Sequence, residues 1–241
     1  MAANISNLVD ERGMTIWDHL AELRNRVLKA MGWLVVTTVA SVFYLANFAI
    51  EFLAQPAGGL SNFQAIEVTE TVGVYMRVAL LSGFILAIPV IVYQLLAFVI
   101  PGLYDNEKRW VFLAIPMATL LFISGAAFAY YVLLQTALPF LAEFQPDVET
   151  NWRLSNYIEF VTNLLFWIGL AFETPLVVFM MAKFNLVSAG LLLKQWRFAV
   201  VILAVVAALI TPTPDPITMA LTMAPLFAIY LLSVGFAALA K

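Results

Sequence analysis

Long apolar stretches alternate with short polar ones along most of the chain. The first regular pattern is amphipathic: Ile16, Leu20, Leu23 and Val27 recur at helical spacing, with Asp18, Glu22, Asn25 and Arg26 on the other side. This predicts a helix over Thr15–Lys29, capped by Thr15 with Asp18 and lying on a membrane surface. Six apolar segments then predict spanning helices over 30–53, 72–99, 110–134, 157–184, 198–210 and 217–240. The first would rise about 36 Å and the fifth only about 20 Å, short for an undistorted bilayer. Pro56 and Gly58-Gly59 close the first span, and Pro89 predicts a kink in the second. Thr211-Pro212-Thr213-Pro214-Asp215-Pro216 is a tight turn before the sixth.

Composition turns this pattern into a class. Of 241 residues, 63% are hydrophobic and only 11% charged, with a mean hydropathy of +0.96. Soluble domains carry about 25% charged residues. The expectation is an all-α polytopic membrane protein, one transmembrane domain over 1–241, with the bilayer as a partner of the fold. The net charge of −3 argues against a nucleic-acid partner. With no cysteine and a single histidine, His19, thiolate chemistry and His-rich metal sites are excluded. No cofactor is expected.

Lys and Arg set the expected orientation. Six spans put both termini on one side, which then holds ten basic residues (Arg12, Arg24, Arg26, Lys29, Lys108, Arg109, Lys183, Lys194, Arg197 and Lys241) against Arg77 and Arg153 on the other. Both termini are therefore expected in the cytoplasm. The first 14 residues resemble neither a signal peptide nor a transit peptide, so a plasma membrane is favoured over a thylakoid. No internal repeat is visible, which weighs against an inverted-repeat transporter.

Few polar residues call for explanation. Glu173 lies near the middle of the fourth span, where a charge costs about 2.5–3.5 kcal/mol on insertion scales. Two readings fit it: an acid that ties helices together, or a docking or conduction group. Glu22 and Glu107 both fall at the predicted cytoplasmic face. Singly, Glu22 reads as a helical pair with Arg26 and Glu107 as a loop charge beside Lys108. Together they offer two carboxylates to a ligand with two guanidinium groups. Asp215 reads as a helix cap. Arg77 is expected to snorkel or to pair with Glu70, and Trp110 and Trp152 read as interfacial anchors.

These motifs, in order, resemble the TatC family, the multi-spanning subunit of the twin-arginine protein translocase. The resemblance runs over Ile16–Ala238. It rests on His19-Leu20-Ala21-Glu22-Leu23-Arg24-Asn25-Arg26; on Ala87-Ile88-Pro89 with Tyr93-Gln94, Ala97-Phe98, Pro101, Leu103-Tyr104 and Glu107-Lys108-Arg109; on Phe122, Gly125, Phe128 and Tyr130; on Phe172-Glu173-Thr174-Pro175; and on Thr211-Pro212, Asp215 and Pro225.

The resemblance implies a non-enzymatic receptor for signal peptides with paired arginines. Such a receptor is the core of a complex that exports folded proteins on the proton-motive force, with single-span TatA-type and TatB-type partners and further copies of itself. It implies that Glu22 and Glu107 meet the arginines, with Arg24 and Phe98 beside them. It places Glu173 at a partner-engaging position, Pro56 at a usual proline after span one, and Asp215 at an outer acid. The chain departs from many relatives at Gln135, Met219 and Leu231, where they carry a proline, a polar residue and a glutamate. The competing expectations are a secondary transporter or proton channel using Glu173, and an intramembrane enzyme.

Overall fold

The computed structural model describes residues 16–99, 105–143, 152–210 and 216–240. Helix α1 (Ile16–Tyr44) is continuous, so the amphipathic stretch and the first apolar run form one rod about 44 Å long. This corrects the expected division at Lys29. No proline interrupts the run, and its apolar stripe passes without a phase change into the span. Thr15, the expected cap, lies outside the described residues. The division comes instead at Leu45, before α2 (Ala46–Ala54). There the Tyr75 hydroxyl donates to the carbonyl of Val42 at 2.5 Å, the oxygen whose helical donor is Ala46. A side chain inserted into the hydrogen-bond ladder bends a helix.

Pro56 sits in a 3₁₀ turn (Gln55–Ala57) that ends in Gly58 at φ 88° and Gly59 at φ 95°. Proline has no N–H to offer the carbonyl four residues back. That carbonyl, on Phe52, accepts from the Gln55 N–H and from the Tyr130 hydroxyl, the latter at 2.7 Å, and the Tyr157 hydroxyl serves the carbonyl of Leu53 at 2.7 Å.

Helix α3 (Glu70–Val99) runs through Pro89 without ending. The third span is α4 (Asp105–Phe128), a π-helical turn (Ala129–Leu134) and α5 (Gln135–Glu143). It thus ends nine residues beyond the expected Leu134, because Ala137 and Leu138 are buried and hold the chain helical. The fourth span is divided into α6 (Leu154–Phe172) and α7 (Thr174–Lys183). A Schellman turn closes α7: Asn185 takes φ 58°, with Leu186 N–H bonded to Met181 and Asn185 N–H to Ala182. Helix α8 (Ala189–Lys194) leads to α9 (Trp196–Ile210), about 22 Å long, and then to α10 (Pro216–Leu239).

Five helical stretches among the described residues are long and apolar enough to cross a membrane: His19–Tyr44, Glu70–Phe98, Phe112–Glu143, Leu154–Lys183 and Met219–Leu239. Trp196–Ile210 is a shorter apolar helix. Much of the surface is apolar, as the bilayer requires: Phe43, Phe198, Val201 and Leu209 all stand exposed.

The core is built around α6, whose Ile158, Val161 and Ile168 are buried among residues of α2, α3, the π turn, α9 and α10. Where α4 and α6 cross, two glycines face two phenylalanines. A Cβ on Gly125 would lie 2.7 Å from the Phe172 ring, and one on Gly169 would lie 2.7 Å from the Phe122 ring. Close approach through small residues is how helices pack where no water drives them together. Gly83 of α3 does the same against Thr38 of α1, where an added Cβ would sit 2.5 Å from a backbone atom.

The loops at the end opposite Glu22 are fastened together. Strand β1 (Phe63–Gln64) pairs in parallel with β2 (Trp152–Arg153). The Glu70 side chain, almost wholly buried, accepts from the N–H groups of Ile66 and Glu67 at 2.9 and 3.2 Å. It also accepts from Ser155 N–H in the first turn of α6 at 2.8 Å and from Arg153 Nε at 3.2 Å. One carboxylate thereby ties the loop before α3 to β2 and to a free N–H in the first turn of α6. Arg153 also holds Glu67 at 2.6 Å, which pushes the guanidinium pKa further up. Trp152 packs on Tyr157 as part of this clasp, with ring centroids 6.4 Å apart.

Arg77 neither snorkels nor meets Glu70. It reaches α6, bonding Thr162 Oγ1 at 3.1 Å, Asn163 Oδ1 at 3.2 Å and Glu159 at 3.0 Å. The acid expected to pair with it is already committed to Arg153.

Candidate functional sites

Glu22 lies on α1 two turns inside its first described residue. Arg26, one turn on, donates to Oε1 from Nε at 2.9 Å and from Nη2 at 2.6 Å. The other oxygen, Oε2, has His19 Nδ1 at 3.9 Å. The His19 ring stacks on Phe98 at the end of α3, with centroids 4.1 Å apart and planes 18° from parallel. Glu22 and Phe98, far apart in sequence, are thus brought to one surface through His19. Both are half-buried, and Arg24 points to the exposed side. Helical pairing with Arg26 therefore holds for Glu22. It occupies one carboxylate oxygen and leaves the second to hydrogen-bond another donor.

Glu107 lies in the first turn of α4, and its side chain falls outside the described ones. Asp215 lies outside the described residues. Pro56 is at the opposite end of the molecule from Glu22, ending α2.

Glu173 is the residue at the break in the fourth span, following α6 and preceding α7. Pro175 follows in the first turn of α7, where its missing N–H is no loss. Glu173 is two-thirds of the way along Leu154–Lys183, about 15 Å from the Lys183 end. Glu173 borders a groove of about 410 Å³ whose exposed lining is apolar, with Phe84, Ile88, Leu170, Val177 and Met181 among the walls. Its Oε1 is buried with no hydrogen-bond partner. A buried acid that tied two helices together would have such a partner, and this oxygen has none among the described residues.

The sequence did not single out three features: the His19–Phe98 stack, the Glu70 clasp and Gln94, whose amide oxygen is buried and unpartnered. His19, Phe98 and Gln94 fall within the quoted motifs. Their mutual contacts join α1 to α3, and periodicity within either helix carries no trace of them.

Bundled spans and apolar outer faces define a polytopic helical membrane protein. Among the described residues no group of His, Asp or Glu is placed to hold a metal ion. Comparison with known proteins supplies the family. Residues 18–225 match the model of the Sec-independent protein translocase protein (TatC). The chain is 33% identical over 235 residues to Sec-independent protein translocase protein TatC of Carboxydothermus hydrogenoformans, covering 97% of this chain and 96% of that one. It is 35% identical over 226 residues to the chloroplastic TATC of Arabidopsis thaliana, covering 93% of this chain and 66% of the relative. A crystal structure described as the twin arginine translocase receptor TatC superposes with a TM-score of 0.82 at 32% identity, over 92% of this chain and 99% of that one. The chain belongs to the TatC family.

Proposed function

We propose that this protein is the signal-peptide receptor and core subunit of a twin-arginine translocase, and that Glu22 is one of two carboxylates that grip the paired arginines. The observation that carries this reading is the state of Glu22: one oxygen held by Arg26, the other without a hydrogen bond, beside the His19–Phe98 stack. A guanidinium that arrives at such a group finds a fixed acceptor and forms a charge-assisted hydrogen bond. Glu107, in the first turn of α4, is the proposed second carboxylate. Arg24 and Phe98 complete the surface.

In this reading all six apolar helices cross the membrane, α9 through a locally thinned bilayer. Both termini face the cytoplasm, as the ten-to-two distribution of Lys and Arg demands. The whole chain is one transmembrane domain in a plasma membrane. Glu173, at the break between α6 and α7, engages a TatA-type or TatB-type single-span partner, with Pro56 and Asp215 as outer elements of the same assembly and further copies of the chain beside it. No observation favours the transporter alternative: Glu173 has no ionisable partner at its depth among the described residues, and the Arg77–Glu159 pair lies about 10 Å or less from the other end of its helices.

The test is photo-crosslinking of a paired-arginine signal peptide to the purified full chain. Wild-type protein crosslinks, and the double variant Glu22→Ala, Glu107→Ala does not. Undiminished crosslinking in that variant would overturn the assignment.

A further inference from the structure

Beside Glu22 a narrow groove of about 220 Å³ runs between α1 and α3, walled by Leu23, Val27, Met31 and Leu34 on one side and by Ile91 and Leu95 on the other. Arg26 and Phe98 stand at its mouth. Its one buried polar side chain is Gln94, 9% exposed. The Gln94 Oε1 is shut off from solvent and accepts no hydrogen bond, which is costly for a buried amide. Apart from Arg26 and Phe98 at its mouth, the lining takes no part in the proposed recognition of arginines by Glu22.

The default occupant of an apolar groove in a bilayer is an acyl chain, which has no N–H to give. A peptide backbone has both N–H and C=O, and either end of a glutamine amide can be turned to meet it, since the terminal torsion is soft. A helix about 10 Å across takes up roughly 400 Å³ per turn. The groove therefore suits an extended chain with alternate apolar side chains directed inward. Position agrees with charge. Phe98 touches His19, one turn from Glu22, and Gln94 lies one turn, about 6 Å, deeper along α3. An extended peptide covers that distance in about two residues.

We propose that the α1/α3 groove is a peptide subsite that takes, in extended form, the apolar residues immediately after the arginines, with Gln94 hydrogen-bonding their backbone. This rests on the reading of Glu22 as an arginine-binding group. It adds a determinant that is not electrostatic: the groove senses that the chain beyond the arginines is extended and apolar. Gln94 is a binding residue here, and Arg26, at the mouth, is shared between the two subsites.

The experiment uses the full chain in nanodiscs and a fluorescent synthetic peptide of two adjacent arginines followed by an apolar segment. The peptide is made unmodified and with a single backbone N-methyl at each of the first four positions after the arginines. One N-methyl position lowers affinity about tenfold for wild-type protein and less than twofold for Gln94→Leu, the signature of a shared contact. Ala30→Trp, which fills the groove, weakens the unmodified peptide while leaving the melting temperature unchanged. The proposal is overturned if Gln94→Leu binds the unmodified peptide as wild type does, if N-methylation acts equally on both proteins, or if a phospholipid held in the groove is not displaced by saturating peptide. Loss of binding in Glu22→Gln with no effect of Gln94→Leu overturns the groove alone. Unchanged binding in Glu22→Gln overturns the arginine reading on which it rests.

Discussion

His19 of α1 lies flat on Phe98 of α3, the two rings 4.1 Å apart and 18° from parallel. Glu22 is one turn from His19, whose Nδ1 is 3.9 Å from its Oε2, so this stack ties the Glu22 turn of α1 to the end of α3. Aromatic pairs contribute about 0.5–1.5 kcal/mol beyond their burial, roughly a two- to twelvefold effect on an equilibrium. Phe98→Ala is expected to weaken paired-arginine peptide binding within that range, whereas Phe98→Tyr retains it. Equilibrium binding by fluorescence anisotropy decides the matter, and an unaltered affinity in Phe98→Ala would remove the stack from the recognition surface.

Glu173 has a buried, unpartnered oxygen beside an apolar groove, so its substitution disturbs no internal hydrogen bond of that atom. Glu173→Ala is expected to leave signal-peptide crosslinking intact and to abolish export of a folded reporter. Loss of both functions, with a lowered melting temperature, would make the residue a structural element.

The reciprocal Gly–Phe contacts of α4 and α6 leave no space for a methyl group. Gly125→Ala or Gly169→Ala should destabilise the protein by about 1–3 kcal/mol through overpacking, read as a lower melting temperature in detergent. Adding Phe172→Leu to Gly125→Ala, or Phe122→Leu to Gly169→Ala, should recover part of the loss. No recovery would mean that the strain is relieved elsewhere.

Glu70 holds four donors from three segments. Glu70→Ala removes the shared acceptor of these part-buried N–H groups and should lower the melting temperature and speed proteolysis between β2 and α6. Glu70→Gln keeps one acceptor oxygen and should fall between wild type and Glu70→Ala. Equal proteolysis in all three proteins would show that the β1–β2 pairing alone fastens the loops.

The spans were legible in the sequence because a bilayer imposes a length and a polarity that single residues cannot disguise. Their ends and breaks were less so. The division at Leu45 depends on Tyr75, and the extension of the third span to Glu143 depends on the burial of Ala137 and Leu138 against other helices. Both causes are tertiary. The break at Glu173 was half-visible, since Pro175 follows it, but a proline inside a helix need not end it, as Pro89 in α3 demonstrates. Among the site residues, Glu22 and Glu173 stood out because carboxylates are scarce here. Gln94 did not, because an amide is conspicuous only once its burial and lack of a partner are known.

The clasp of Glu70, Arg153 and the two short strands has a mechanical consequence. Rods fastened at one end splay at the other. With α3 and α6 pinned together there, and Arg77 adding a second tie a few turns in, small tilts of these helices become their largest displacements at the far end. That end carries Phe98 and, through α7, the lower lip of the Glu173 groove. Loosening the clasp would therefore be felt most at the Phe98 end of α3, the end furthest from the residues that hold it.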